Sequence, residues 1–267
     1  MLRDITIGQY YPGNSLLHRL DPRVKFVGTL MFIISLFLFQ GWVGYLIATA
    51  VLVIMIKVSK VPFSFMVKGL KAIVVLLVIT LAFNIFLTPG TVIWQWKFLK
   101  ITEEGLILAG KMAVRLVELV IGASLMTLTT TPNQLTDGLE RLLRPLNKIH
   151  VPVHELALVM SIALRFIPIL MEETDKIMKA QIARGADFES GGVIKKIKAM
   201  VPLLVPLFVS AFRRANDLAL AMEARCYHGG DGRTQMKPLQ YAGRDRIAYI
   251  LIWLYLAAAI ACCIMGW

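Results

Sequence analysis

The sequence predicts an all-α integral membrane protein: a helical transmembrane bundle of about five crossings, with long amphipathic helices on the cytoplasmic side. Of its 267 residues, 57% are hydrophobic and only 17% are charged, and the mean hydropathy is +0.69. A soluble domain usually has about 45–50% apolar and 25% charged residues. The excess of apolar side chains is best explained by burial in a bilayer.

The distribution of basic residues predicts the orientation. Residues 132–246 hold 17 of the 29 Lys and Arg residues, and segments 1–25 and 57–71 hold four each. These 25 residues can all lie on one side, which the positive-inside rule assigns to the cytoplasm. The N-terminus and region 132–246 are therefore expected inside, and the C-terminus outside. No basic stripe is interleaved with aromatic residues, so the net charge of +12 does not indicate nucleic-acid binding.

The first two crossings are expected as a hairpin. Residues 1–25 form a polar leader without the apolar core of a cleaved signal. Residues 26–56 carry no charge and are too many for one comfortable crossing. Gly41, in the middle of this run, favours a tight turn between two short or tilted helices.

The third and fourth crossings follow a basic segment, residues 57–71, which Pro62 interrupts. Residues 72–96 are uncharged, and Trp94 and Trp96 are interpreted as an interfacial belt on the outer side. Residues 105–131 form the next apolar segment.

Two charges inside that fourth segment require a partner. Arg115 and Glu118 are three residues apart and share a helix face, so they are a candidate intramembrane ion pair. Lys111 either snorkels to the interface or has a buried role at a subunit contact.

Region 132–246 contains amphipathic helices that are expected to be too charged to cross. Proline and glycine positions predict helices over residues 133–150, 154–184 and 193–227, with Gly185 stopping the second. Residues 247–267 are uncharged and predict the last crossing. The predicted division is therefore residues 1–131, 132–246 and 247–267.

The two long helices end alike, with an arginine between small residues in the last turn. One explanation is local, because a cation stabilises a helix C-terminus by about 0.3–1 kcal/mol. Two such ends on consecutive helices instead indicate contacts in which each guanidinium pairs with carboxylates of a partner. The candidate contact residues are Ala183, Arg184, Gly185, Ala224, Arg225 and Cys226.

These helix ends resemble the two X-Arg-X coupling motifs of the energy-coupling-factor (ECF) transporter T component, the EcfT/CbiQ family. Other segments resemble the family in the same order along the chain: residues 11–23, 130–146, 163–168 and 219–225. One departure is Cys226, where the family most often has glycine.

The resemblance implies a coupling subunit of an ECF-type ABC importer in the prokaryotic cytoplasmic membrane. Its expected partners are two cytoplasmic EcfA-type ATPases and a substrate-binding S component, with uptake of vitamins or, alternatively, transition metals. Arg184 and Arg225 would each dock in one ATPase. No cofactor is implied. S-component contacts are expected on the apolar faces of the long helices, although packing within the chain explains the same residues: Leu156, Val159, Met160, Ala163, Leu203, Leu207 and Ala211.

Other functional classes fit less well. The chain has no HExxH motif and no GxxxxGK[ST] loop, so neither a metal-dependent enzyme nor an ATPase is expected. Its three cysteines form no CxxC pair and suggest neither a disulfide framework nor a zinc site. The remaining alternatives are a conventional ABC permease subunit, which also docks ATPases, and a secondary transporter, which would require inverted repeats.

Overall fold

The computed structural model describes residues 10–39, 41–96, 99–186, 188, 192–229, 236 and 238–265. The start of the leader and the end of the predicted last crossing lie outside these ranges. The described residues form eight α-helices: α1 (Pro22–Leu38), α2 (Trp42–Ser59), α3 (Phe63–Leu87), α4 (Glu103–Thr129), α5 (Pro132–Leu143), α6 (Val153–Ala183), α7 (Val193–Glu223) and α8 (Gly243–Ile264).

The described residues divide into two compact units. One, here called the bundle, comprises residues 10–138 and 239–265, and the other, the long-helix unit, begins at 139 and ends at 238. The predicted all-helical membrane fold is confirmed.

The predicted hairpin at the start of the bundle is present. α1 begins at Pro22, whose fixed φ suits a first helical turn, and the side chain of Asp21 caps it by accepting from the N–H of Arg23. α1 ends at Leu38 and α2 begins after Gly41 in extended backbone. Gly41 therefore lies at the break, as the sequence predicts.

Close packing joins the helices of the bundle. α3 packs along α4, α1 packs on α8, and α2 packs on α4. Gly122 of α4 lies so near α1 that an added Cβ would be 2.8 Å from the ring of Phe32. Small residues allow such approaches between membrane helices. The most buried large side chains are Leu36, Phe39, Tyr45, Met66 and Leu128.

A β-hairpin replaces the predicted outer end of the third crossing. α3 starts at Phe63, earlier than expected, and stops at Leu87. The strands β1 (Val92–Trp96) and β2 (Leu99–Thr102) then pair antiparallel, with Gln95 opposite Lys100. The sequence-based interpretation missed this hairpin because it read the two tryptophans only as membrane anchors.

Among the described residues, three helices are long and apolar enough to cross a membrane, namely α2, α6 and α8, and the two halves of α3, bent by 60°, would make a fourth. The presence of α6 corrects the expectation that its charges exclude a crossing. The charges of α6 are concentrated in its second half, and its first half is largely apolar. The number of crossings stays a prediction.

The long-helix unit consists of the end of α5, a 3-10 turn (Arg144–Ile149), α6 and α7. His154, at the start of α6, hydrogen-bonds through Nδ1 to Glu140 Oε1 of α5 at 2.9 Å. α6 and α7 pack against each other. Pro168 lies inside α6, and Pro202 and Pro206 lie inside α7.

Candidate functional site

α6 ends in a Schellman motif, the hydrogen-bond pattern that closes a helix through a left-handed residue. The N–H of Gly185 donates to the carbonyl of Ile182 at 2.9 Å, and the N–H of Ala186 donates to that of Gln181 at 3.0 Å. Gly185 has a φ of 88°, which glycine adopts without steric cost. Arg184 is thereby placed at the C-cap, with φ −88° and ψ 6°.

α7 ends in the same motif. The N–H of Cys226 donates to the carbonyl of Glu223 at 2.8 Å, and that of Tyr227 donates to the carbonyl of Met222 at 3.1 Å. Cys226 is the left-handed residue here, with a φ of 57°. Arg225 donates its N–H to Met222 at 3.1 Å, as Arg184 does to the residue three before it. The two arginines therefore occupy equivalent positions in two equivalent backbone turns.

Both arginine side chains are available to a partner. Arg184 and Arg225 are exposed, and so are their neighbours Ala183, Gly185 and Ala224. Neither guanidinium has a hydrogen-bond or ion-pair partner in the described part of the chain. A Cβ built on Gly185 would meet no atom of the described residues within 4 Å, so these residues leave the space around that turn open. Each of these helix ends, here called the tips of α6 and α7, can enter a groove of a partner without first breaking an internal contact.

The two tips are far apart because α6 and α7 run antiparallel. Arg214 Nη2 donates to Glu173 Oε2 at 3.0 Å, and Gln181 Nε2 donates to the carbonyl of Pro202 at 3.4 Å. The end of α6 thus lies beside Pro202. From there α7 rises about 1.5 Å per residue and carries Arg225 roughly 35 Å away. One small groove could not receive both arginines.

The residues predicted to contact an S component differ in how far they are buried. On α6, Leu156, Val159 and Met160 are 54%, 62% and 44% exposed, and Ala163 is also exposed. On α7, Leu203 is only 5% exposed, which leaves it little surface to offer a partner. Leu207 and Ala211, also on α7, are half-buried.

The exposed apolar face of α7 is not the face that was predicted to contact the S component, and the sequence-based interpretation missed it. It carries large side chains at helical spacing that are more than half exposed: Val201, Val205, Phe208 and Phe212. Both faces of α7 are apolar in sequence, so the choice between them depends on tertiary packing. The spacing of these four residues was the signal available beforehand.

Arg115 and Glu118 do not pair with each other in the structure. The Arg115 guanidinium donates to the hydroxyl of Tyr45 from Nε at 3.0 Å and to the carbonyl of Phe39 from Nη2 at 3.3 Å. Glu118 is 2% exposed and contacts Thr49 Oγ1 through Oε1 at 2.5 Å. Both side chains lie inside the bundle, and each connects α4 to a different group.

No group of three His, Cys, Asp or Glu side chains is arranged to hold a metal among the residues that the structure describes. No disulfide joins the three cysteines, of which Cys226 is exposed, Cys262 buried and Cys263 half-buried.

Known proteins match this chain along nearly its whole length. A family model described as "Cobalt transport protein" (CbiQ) matches residues 13–236. The "Energy-coupling factor transporter transmembrane protein EcfT" of Clostridium kluyveri is 60% identical over 250 residues, which cover 93% of each chain. Proteins of the same name from Thermosediminibacter oceani and Bacillus subtilis are 51% and 49% identical, over 97% of this chain and 98% of theirs. The chain therefore belongs to the EcfT/CbiQ family, the transmembrane T components of energy-coupling-factor transporters, and is a membrane protein.

Proposed function

We propose that this chain is the coupling subunit of an ECF-type ABC importer, which links two cytoplasmic EcfA-type ATPases to an S component. Arg184 docks in one ATPase and Arg225 in the other. Closure of the ATPase pair on ATP moves the two helix ends relative to each other, and the long helices carry this movement to the S component. The chain itself hydrolyses nothing, and the imported substrate is a vitamin or another micronutrient.

One observation carries this proposal: two exposed arginines, without a partner among the described residues, directly precede the left-handed residue of equivalent Schellman motifs and lie roughly 35 Å apart along antiparallel helices. A local role in stabilising the helix end would not require either guanidinium to be free of neighbours. A guanidinium at an open helix end can form a bidentate pair with a carboxylate. Two equivalent tips at this separation suit a pair of homologous ATPase subunits.

The exposed apolar faces of the long helices support the S-component contact. Leu156, Val159 and Met160 on α6, together with the stripe from Val201 to Phe212 on α7, are large apolar surfaces. Contiguous apolar surface of this kind marks protein or membrane contacts. In the proposed orientation the N-terminus and the helix ends that carry Arg184 and Arg225 are cytoplasmic, and the protein lies in the prokaryotic cell membrane.

Charge reversal at the tips tests the proposal. The chain is coexpressed with an ATPase pair of the family and an S component, and the complex is purified through a tag on one ATPase. Arg184→Glu, Arg225→Glu and the double variant are compared with wild type. Breaking a bidentate charge pair costs about 2–5 kcal/mol, so each single change should weaken ATPase binding at least about thirtyfold.

Lys176→Glu is the matched control, because Lys176 is an exposed cation of α6 about two turns before Arg184. It should copurify like wild type. The proposal fails if the double variant retains both ATPases and transports normally, since the arginines would then be helix caps only.

A further inference from the structure

The chain leaves the bundle for the long-helix unit at one connection and returns at another, and leader residues contact both. The outgoing connection begins where α4 ends. Lys25 Nζ donates to the carbonyl of Thr129, the last residue of α4, at 2.8 Å, and to that of His18 at 3.3 Å. A cation at this end satisfies a carbonyl that has no partner in the helix and favours the helix dipole.

The same connection passes very close to Pro22. A Cβ added to Gly138, in α5, would lie 2.9 Å from Pro22 Cβ. Gly138 is buried and is the last residue that belongs to the bundle before the long-helix unit begins. Glycine is therefore required for this approach between the leader and the outgoing chain.

The return connection meets Arg23. Its Nη2 donates to the carbonyl of Leu239 at 3.5 Å, and its guanidinium carbon lies 3.7 Å from the centre of the Tyr241 ring. Leu239 is the first residue of the bundle after the long-helix unit. A guanidinium over an aromatic face is attracted by the ring quadrupole.

Asp21 joins the same connection to the start of α8. Its N–H donates to Asp245 Oδ1 at 2.9 Å, while Asp245 Oδ2 accepts from the N–H of Ala242 at 2.7 Å. Asp245 is 2% exposed. One buried carboxylate therefore holds both the leader and the residue before α8.

An ion pair between Asp21 and Arg23 links these contacts to each other. The guanidinium binds the Asp21 carboxylate in bidentate fashion, from Nε at 2.9 Å and from Nη2 at 2.8 Å, and both side chains are at least nine-tenths buried. Lys25 is 7% exposed. The cluster contains two carboxylates and two cations, so its charges balance within the protein. Removing one member leaves a buried charge without its partner.

We infer that Asp21, Arg23 and Lys25 form a clamp that holds in place the two segments of the bundle, residues 129–138 and 239–245, through which the chain leaves the bundle and returns to it. This inference rests on the proposed function, and it deepens it: movement of the coupling helices reaches the bundle through the clamp. Arg23 and Lys25 are positioning residues, which act without touching ATPase or substrate. All its contacts lie inside the bundle, at the segments from which the chain leaves it and to which it returns.

Three substitutions loosen the clamp at different points. Tyr241→Ala removes the ring below Arg23 at a position that is 47% exposed, so folding should tolerate it. Lys25→Met keeps the apolar stem but loses the contact to Thr129, and Arg23→Lys keeps the charge but loses the bidentate pair. Arg19→Ala, at an exposed position of the same leader, is the matched control.

The full complex of each variant is purified and reconstituted in proteoliposomes, and ATPase copurification, ATP hydrolysis and substrate uptake are measured. Clamp variants should keep both ATPases and hydrolyse ATP, while uptake per ATP falls about tenfold, the size of ordinary coupling free energies. Arg19→Ala should behave like wild type. Unchanged uptake per ATP in all three variants would overturn the inference, and so would loss of the ATPases, which would assign the cluster to assembly.

The two proposals fail in distinguishable ways. A wild-type chain that bound no ATPase would overturn the proposed function, and with it the transmission role of the clamp. A wild-type complex that transports, combined with clamp variants that transport equally well, would remove only the clamp.

Discussion

Gly185 and Cys226 occupy the same position in two helix ends with the same hydrogen-bond pattern, the left-handed residue that follows each exposed arginine. Their φ angles are 88° and 57°. Glycine adopts this conformation freely, whereas a residue with a Cβ is strained there by about 1 kcal/mol or more. The tip of α7 is therefore built with a strain that the tip of α6 lacks.

Exchanging the residue types should reverse this difference. Cys226→Gly relieves the strain and should stabilise the tip of α7 by about 1 kcal/mol, and Gly185→Cys should cost a similar amount. Because no atom of the described residues lies within 4 Å of a Cβ built on Gly185, we expect that cost to be conformational and not steric. Thermal unfolding of the purified complex measures both. If both variants shifted the unfolding temperature in the same direction, the assignment of backbone strain to Cys226 would be contradicted.

The ion pair between Glu173 and Arg214 should hold α6 and α7 in their antiparallel arrangement. The side chains are 27% and 37% exposed, so solvent screens the pair and its coupling energy should be about 0.5–1 kcal/mol. A double-mutant cycle with Glu173→Gln and Arg214→Gln measures this energy by thermal unfolding. The charge swap Glu173→Arg with Arg214→Glu should recover part of the loss, whereas Glu172→Gln, at an exposed position, should change little. Additive effects in the cycle would show that the pair does not couple the helices.

Glu118 should be a protonated acid that donates to Thr49. The hydroxyl of Thr49 has one proton, and its 2.7 Å contact to the carbonyl of Tyr45 uses it, because a carbonyl can only accept. A proton on Glu118 would satisfy the 2.5 Å contact between Glu118 Oε1 and Thr49 Oγ1 without requiring the one hydroxyl proton to serve two acceptors. Glu118 Oε2, which is buried without a partner, is then a neutral carbonyl oxygen and not half of an uncompensated charge.

Infrared difference spectroscopy of wild type against Glu118→Gln checks this state. We expect a carboxylic-acid carbonyl band that disappears in the variant, with assembly and uptake preserved because glutamine can also donate to Thr49. A carboxylate band in wild type, or loss of the folded bundle in Glu118→Gln, would contradict it.

The helices were largely predictable, because uncharged runs and the breaks at Gly41 in the bundle and Gly185 in the long-helix unit are local signals. The hydrogen bonds that organise their ends were not. In the clamp, Asp21 is hydrogen-bonded to Asp245, although the two residues lie at opposite ends of the sequence. Likewise, the spacing of Arg115 and Glu118 correctly placed both on α4 but gave no sign of Tyr45 and Thr49, which provide their contacts.

The candidate site was likewise predictable only in part. Residue types alone marked the two arginine tips, since each lies at a helix end that proline and glycine positions define. The equivalence of their backbone turns required the coordinates, as did the choice between the two apolar faces of α7. Leu203 was chosen on hydrophobicity, and packing buries it instead.

Site-specific photocrosslinking tests the central claim most directly. A photoreactive residue is placed at Ala183, at Ala224 or at Val159, in a complex whose two ATPases carry different tags. Ala183 and Ala224 adjoin the two arginines, so each should label a different ATPase, whereas the exposed Val159 of α6 should label the S component. If neither helix tip labels an ATPase in a complex that transports substrate, the docking role of Arg184 and Arg225 is contradicted.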